Sequence, residues 1–416
     1  MTHFQDLKSR LPRSLQELVD SSEGLDPAEP YVAFVADLVQ LAFDNAIETG
    51  LALAALFDLA VSARYIENVG NDNWIYCKEW GIPTALYPFV NACPLCTVNG
   101  EFAHVFANKP PSAQIGHATS VTLAIMLNAL ARRNTGGDFE VREIRGTGVV
   151  DAILIGPDSL TLMEIKSSPL VALPVMGEVP LLTTNAQEDW KRIETPSHTR
   201  TATTGSEPLS FLVNRELAIP LGSQRSFEAG RHYRRIKQWL ETKDNLDQYV
   251  RAWIEMYDSY DSKTDRPAVY WLTNGCGIPT PRPDSWPRTS SGRAFESISD
   301  SKSSVGIDRT DDIKKGIYQV LKMSTHYKED EFDASIHIYV ALVSNVHAVK
   351  HHNDYLSKVQ DVIWTLDGKD RSYVIERTPE LTTVLSERLY NLVDAIFSFT
   401  RPYYREQRLK EVLSLD

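Results

Sequence analysis

The stretch "VVDAILIGPDSLTLMEIKSS", residues 149–168, sets two short apolar runs on either side of Gly156-Pro157-Asp158-Ser159. Gly, Pro, Asp and Ser each favour turns for a separate backbone reason, and the flanking runs are rich in Val, Ile and Leu. The stretch therefore predicts a β-hairpin. A two- or four-residue loop sets Ile155 opposite Leu160 and Asp151 opposite Glu164. A three- or five-residue turn would shift that register by one. Strand alternation places Lys166 on the same face as Glu164. Three charged groups converge on one side of an otherwise apolar hairpin.

Directly opposed side chains have Cβ atoms roughly 4.5–5.5 Å apart, and two opposed carboxylates destabilise a sheet that offers no counter-charge. Val149, Ile153, Leu160 and Leu162 share the face, so it is not a solvated stripe. Buried charge must be paired or coordinated. Lys166 supplies one positive charge, and a hard divalent cation such as Mg²⁺, which prefers carboxylate oxygens, would supply two. A metal beside an ammonium can acidify a bound water and offset charge building on a phosphoryl group.

The rest of the chain places this hairpin in a fold. Residues 30–66 predict two apolar helices broken near Thr49-Gly50, and Ser112 is a candidate N-cap for a helix over about 113–133. Strands are expected at 139–144, 149–155 and 160–166, then a long amphipathic helix at about 232–257 and a strand at 268–273. Thr310 is the expected N-cap of a further helix, "SIHIYVALV" reads as a strand, and 378–398 and 403–414 read as helical. Strands alternating with helices around one mixed sheet define an α/β fold. The expected division is a helical N-terminal region (1–68), a Cys/His element (69–111), a core (112–345) and a helical C-terminal region (346–416).

At these residues the sequence resembles the PD-(D/E)XK nuclease superfamily, the restriction-endonuclease-like fold. The family pattern is an acid, a hairpin spacer, then Glu or Asp, any residue, and Lys. Asp151 and Glu164-Ile165-Lys166 fit it, with Val150 where a Pro often precedes the first acid. The resemblance implies that Asp151 and Glu164 bind Mg²⁺ and that Lys166 positions or activates the attacking water. A further upstream acid is expected, with Glu143 and Glu140 as candidates; Gln114 or His117 would play a similar part. The family core runs helix, three strands, helix, strand. Helix 113–133, the three strands, helix 232–257 and strand 268–273 fill that order, and the likeness covers about 112–345.

The totals bound the partners. The chain has 416 residues, enough for more than one core, and 43% hydrophobic with 24% charged residues is an ordinary globular composition. No apolar run reaches membrane-spanning length and the first residues lack the apolar stretch of a signal peptide, so a cytoplasmic protein is expected. A net charge of −12 argues against a protein that coats nucleic acid, though not against a basic cleft in an acidic shell.

Four cysteines are too few for a disulfide scaffold. Cys93 and Cys96 form a Cys-x₂-Cys pair, with Cys77 upstream and His104 and His117 downstream. Zinc takes four N/S ligands in closed structural sites, so Cys77, Cys93, Cys96 and His104 are the expected set. A redox pair would need a strand-to-helix setting absent here. Cys276 stands alone.

Residues 274–309 form a long polar connection, the kind that is functional or disordered. It carries Arg282, Arg288, Arg293, Lys302 and Arg309, with Trp286 among them. Arginine suits bidentate contact with guanine or phosphate. Arg231, Arg234, Arg235 and Lys237 make a second basic set. The expectation is a Mg²⁺-dependent, zinc-containing endonuclease of double-stranded DNA, of the type II restriction kind, acting as a homodimer with one site per strand. The alternatives are another nuclease of the same superfamily (repair, phage or CRISPR-associated) and a non-catalytic zinc-containing DNA-binding protein.

Overall fold

The structure, a computed structural model, describes residues 3–45, 48–67, 74–77, 82–85, 112–144, 146, 148–171, 173, 175–177, 209–213, 217–223, 230–242, 244–262, 305–328, 335–366, 373–377 and 389–416. Helices α1 (His3–Arg10) and α2 (Arg13–Asp20) lead into strand β1 (Ser22–Gly24), then α3 (Pro30–Asn45) and α4 (Thr49–Ile66). Strands β2 (Trp74–Cys77) and β3 (Ile82–Ala85) precede α5 (Ser112–Thr135), β4 (Glu140–Ile144), β5 (Ala152–Ile155) and β6 (Ser159–Ile165). Next come β7 (Val175–Gly177), β8 (Leu209–Leu212), β9 (Ala218–Gly222), α6 (Arg231–Leu240) and α7 (Asn245–Ser262). The C-terminal part holds α8 (Thr310–Tyr327), β10 (His337–Val343), β11 (Val362–Leu366), β12 (Tyr373–Arg377), β13 (Tyr390–Asn391), β14 (Ala395–Phe397), β15 (Tyr403–Tyr404) and α9 (Gln407–Val412).

The chain divides into two units. The first joins Met1–Pro27, Thr119–Ser168 and Gly306–Asp416. Its centre is a mixed seven-stranded sheet in the order β1-β4-β5-β6-β10-β14-β15. The β6/β10 and β10/β14 pairs are parallel and the others antiparallel. Ile155 pairs with Leu160 and Ala152 with Met163, and the Gly156 N–H donates to Ser159 O at 2.9 Å. The hairpin register read from the turn is the register observed.

Every residue of β6 is buried, because both faces of the sheet are covered. On one face Ile153, Leu160, Leu162, Val340 and Leu342 pack with Leu7 and Leu15 from α1 and its neighbour α2, and with Ile313, Val320 and Met323 of α8. The opposite face, with Val141, Leu154 and Met163 equally buried, is tied to α5 through Asn128, whose Oδ1 accepts the Val141 N–H at 2.9 Å. Strand β10 reads as a near-continuous apolar run, as parallel strands covered on both sides do.

With β7, β8, β9, α6 and α7 of the second unit left aside, α5, β4, β5, β6, α8 and β10 run helix, three strands, helix, strand. Sequence assigned the last two places to 232–257 and 268–273. The first of those spans is two helices, α6 and α7, broken around Asp244 at φ 69°, and both belong to the second unit; 268–273 lies outside the described residues. An amphipathic helix followed by an apolar strand is a pattern that the chain contains twice, and only pairing shows which strand lies against β6. The C-terminal region also departs from the helical reading. Residues 389–398 form β13 and β14, and of 403–414 only α9 is helical. Short buried parallel strands lack the polar alternation that separates strand from helix. Thr310 is the first residue of α8 rather than its cap; Arg309 holds that position, with no side-chain capping bond.

The second unit comprises Ala28–Ala118 and Pro169–Val305. Its five-stranded sheet, β2-β3-β7-β8-β9, places two short strands within 69–111, the expected Cys/His element. Helix α4 is long and apolar enough to cross a membrane by composition, but it is mostly buried inside this unit. It carries Asp58, fully buried, which accepts the Leu170 N–H (3.2 Å), the Val171 N–H (2.9 Å) and the Trp253 indole N–H (2.7 Å). Burial pushes that carboxyl up to about 8.

Candidate active site at the ends of the central strands

Parallel strands β6, β10 and β14 all end at the same edge of the sheet, and the antiparallel β5 begins there. Asp151 sits immediately before β5. Its N–H donates to Met163 O and its carbonyl accepts the Ile144 N–H, both at 2.9 Å, so the ladder leaves regular register at this residue. Its Oδ2 accepts the Ile165 N–H at 2.7 Å. Glu164 stands beside Leu342 in the β6/β10 ladder, and Lys166 follows β6 with its N–H on Val343 O at 2.8 Å.

The three side chains meet. The Lys166 ammonium pairs with Glu164 Oε1, lies 3.9 Å from Asp151 Oδ2 and donates to Ile165 O at 3.3 Å. Helix α8 roofs them at Gly316. A Cβ there would stand 2.9 Å from Leu342 Cδ1 and 3.5 Å from Lys166 Cγ, so the missing side chain is what allows so close an approach. Glu164 is 3% exposed, whereas the Asp151 side chain is 36% exposed, and the cluster therefore opens to solvent on the aspartate side.

Burial pushes the Glu164 carboxyl up to about 8. The nearby Asp151 charge pushes the same way, and the Lys166 ammonium opposes both. Desolvation together with a specific charged partner is a pattern by which functional sites shift their carboxyls. Among the described residues no group of three or more His, Cys, Asp or Glu side chains gathers. The donor set is two carboxylates with the Ile165 carbonyl nearby. This fits Mg²⁺, which commonly takes one or two carboxylates and keeps several waters.

The remaining sequence candidates fare differently. Glu143 pairs with Ala152, which pairs with Met163, so it projects from the face opposite Glu164 and cannot join the cluster. Closeness in sequence concealed this, since side-chain period two makes the parity of the pairing decide the face. Glu140 shares the right face but stands at the far end, opposite Ile155, in an ion pair with Arg142 at 3.0 Å. Arg309, at the start of α8, pairs with Asp312 at 3.2 Å.

Arg231, Arg234 and Arg235 are exposed on α6 in the second unit, and Lys237 is engaged by Asp37 at 2.6 Å. His117 also belongs to that unit. Cys77 ends β2, its backbone paired with Ile82. Cys93, Cys96, His104, Cys276, Arg282, Trp286, Arg288, Arg293 and Lys302 lie outside the described residues, as does the side chain of Gln114.

Asn345 escaped the sequence reading. Its Oδ1 accepts the Ser168 N–H at 3.2 Å and its Nδ2 donates to Ser168 O at 2.9 Å, which clamps the chain just past Lys166. The available signal was "SNVH", polar residues directly after a buried parallel strand, where open α/β sheets bind ligands. Searches against protein-family models, curated proteins and solved structures found no match to this chain.

Proposed function

We propose that the chain is a Mg²⁺-dependent endonuclease of the PD-(D/E)XK type, cutting double-stranded DNA in the manner of a type II restriction enzyme. The observation that carries this reading is the convergence of Asp151, Glu164 and Lys166 at one end of the β5–β6 hairpin, with Glu164 buried and bonded to Lys166. The succession α5, β4, β5, β6, α8, β10 supports it, being the order that the resemblance implies.

Asp151 and Glu164 would hold the metal. When bound, the ion would acidify a water and offset the charge developing on the phosphoryl group. In hydrolysis the water oxygen bonds to phosphorus, one P–O ester bond breaks, the water loses a proton to solvent and the departing alkoxide gains one. Lys166, held at the mouth of the cluster, positions the attacking water and offsets negative charge on the phosphate. Burial behind α8 limits solvent competition for these charges.

Incubating plasmid DNA with the purified chain and Mg²⁺ tests the reading, and sequencing the ends gives the cut site. Asp151→Ala and Lys166→Ala should each slow cleavage by about 10²–10³-fold or more, the scale of losing one transition-state contact. Wild-type cleavage by either variant would overturn the site. A wild-type chain that cuts no DNA with any divalent ion would leave the non-catalytic DNA-binding reading. The proposed zinc site, with Cys77, Cys93, Cys96 and His104 as ligands, calls for about one zinc per chain on metal analysis. The proposed homodimer calls for a sedimentation mass of two chains on DNA.

A further inference from the structure

A cavity of about 170 Å³ opens in the first unit where β10 and β14 end. Ser344 and His347 reach it from the segment after β10, Ser398, Arg401 and Tyr403 from the segment after β14, and His352 from the turn between. Among the described residues its lining contains donors and apolar walls but no carboxylate.

The Ser344 side chain is 1% exposed, and its Oγ has no hydrogen-bond partner. Buried hydroxyls are almost always satisfied, so such an atom points to a ligand or water. The Arg401 guanidinium has no carboxylate partner among the described residues, and its backbone N–H donates to Ser398 Oγ at 3.1 Å. His347 is oriented through Nδ1 to Thr400 Oγ1 at 3.0 Å. Burial first, then the Arg401 charge, lowers the His352 pKa. A fixed positive charge, two imidazoles and an unsatisfied hydroxyl without any acid suit a tetrahedral oxyanion.

Register relates the cavity to the candidate active site. Val343 pairs with Ile165 and accepts the Lys166 N–H, so Ser344 stands level with Lys166 along the strands. Neighbouring strands lie about 4.8 Å apart, which sets β10 one spacing and β14 about two spacings from β6. We propose that this cavity is a phosphate-binding subsite in which Arg401, His347, His352 and the Ser344 hydroxyl hold a phosphate group beside the one attacked at Asp151, Glu164 and Lys166. Only the source of the phosphate, a nucleic-acid strand, rests on the nuclease reading; the subsite itself does not.

The test uses the full chain in EDTA, so that cleavage plays no part. Titration with inorganic phosphate should show binding that Arg401→Gln weakens at least tenfold and Ser344→Ala weakens severalfold. Arg401 is exposed, so its variant should fold normally. In a second arm, Arg401→Gln should weaken binding of a short DNA duplex about tenfold and lower the salt slope by about one, as loss of one phosphate contact does. Absence of phosphate binding, or binding that Arg401→Gln leaves intact, overturns the subsite. Phosphate binding lost in the variant with duplex binding untouched upholds the subsite and assigns it to a small phosphate ester. Failure of the nuclease reading alone would show as absent cleavage with the phosphate result preserved.

Discussion

Adding Mg²⁺ to the metal-free chain at pH 7 should drive a proton off Glu164. Burial behind α8, with the Asp151 charge beside it, keeps this carboxyl protonated up to about pH 8. One unit below that value about nine-tenths of the chains carry the proton. A metal needs the carboxylate, so binding must release it. Each ion should therefore free about 0.9 proton at pH 7 and about 0.1 at pH 9. Apparent affinity should climb about tenfold per unit from pH 6 to 7 and then level off above 8. Calorimetric titration in two buffers of different ionisation enthalpy reads the protons directly. Glu164→Gln, which keeps the shape and removes the titration, should release none and bind the ion far more weakly. Near-zero release at pH 7, with affinity flat from pH 6 to 8, would refute the reasoning, whose two premises are the protonated buried acid and the proposed metal site.

The same carboxyl shapes metal-free stability. The folded chain holds the proton up to about 8 whereas the unfolded chain loses it near 4.5, so between those values the folded state binds more protons. Its contribution is present below the lower value and is lost as pH rises to the upper one, at about 1.4 kcal/mol per unit. Asp58 adds a separate effect of the same sign in the second unit, so the readout is the difference between wild type and Glu164→Gln in urea unfolding with EDTA; parallel profiles would sink it. Gly316→Val should cost about 1–3 kcal/mol by overpacking against Leu342 and should slow cleavage by displacing the Lys166 stem. Unchanged melting and cleavage would contradict the close approach of α8. Lys328→Met should destabilise by about 3–5 kcal/mol, because it strands the buried Asp394 that Lys328 Nζ meets at 2.5 Å. Restoration by a second change, Asp394→Asn, would support that cause, and a mild single variant would refute it. Gly306→Ala should cost about 1–2 kcal/mol, since Gly306 sits at φ +51° with a Cβ position 3.3 Å from Lys166 O.

Legibility followed the range of the interaction. The hairpin and its register were readable because turn residues and strand alternation act within twenty residues of each other. The convergence of Asp151, Glu164 and Lys166 follows from that register. Choosing between Glu143 and Glu140 needed the β4/β5 pairing, one strand further out, which puts Glu143 on the face away from Glu164. The strand parallel to β6 is separated from it by the whole stretch from Pro169 to Val305, and no local pattern marks which later strand returns. The cavity residues were invisible for a similar reason. Ser344 and Arg401 are far apart along the chain and meet only because β10 and β14 are neighbours.

Strand direction explains why chemistry gathers at one edge. β6, β10 and β14 run in parallel, so the residues that follow each of them (Lys166; Ser344, Asn345 and His347; Ser398 and Arg401) emerge side by side. Backbone groups at strand ends have no ladder partners, and polar side chains satisfy them there, as Asn345 does for Ser168. The antiparallel β5 would normally contribute its opposite end. It contributes Asp151 because its first residue, not its last, reaches this edge. An acid placed just before β5 and an acid-x-lysine at the end of β6 are thus two readings of one geometric condition, a tight hairpin whose open end lies where parallel neighbours stop. A residue at the closed end, such as Asp158 in the turn, meets the start of β10 instead, its carbonyl accepting the His337 N–H at 2.9 Å. The position of the acids in the hairpin, more than their number, is what makes them a site.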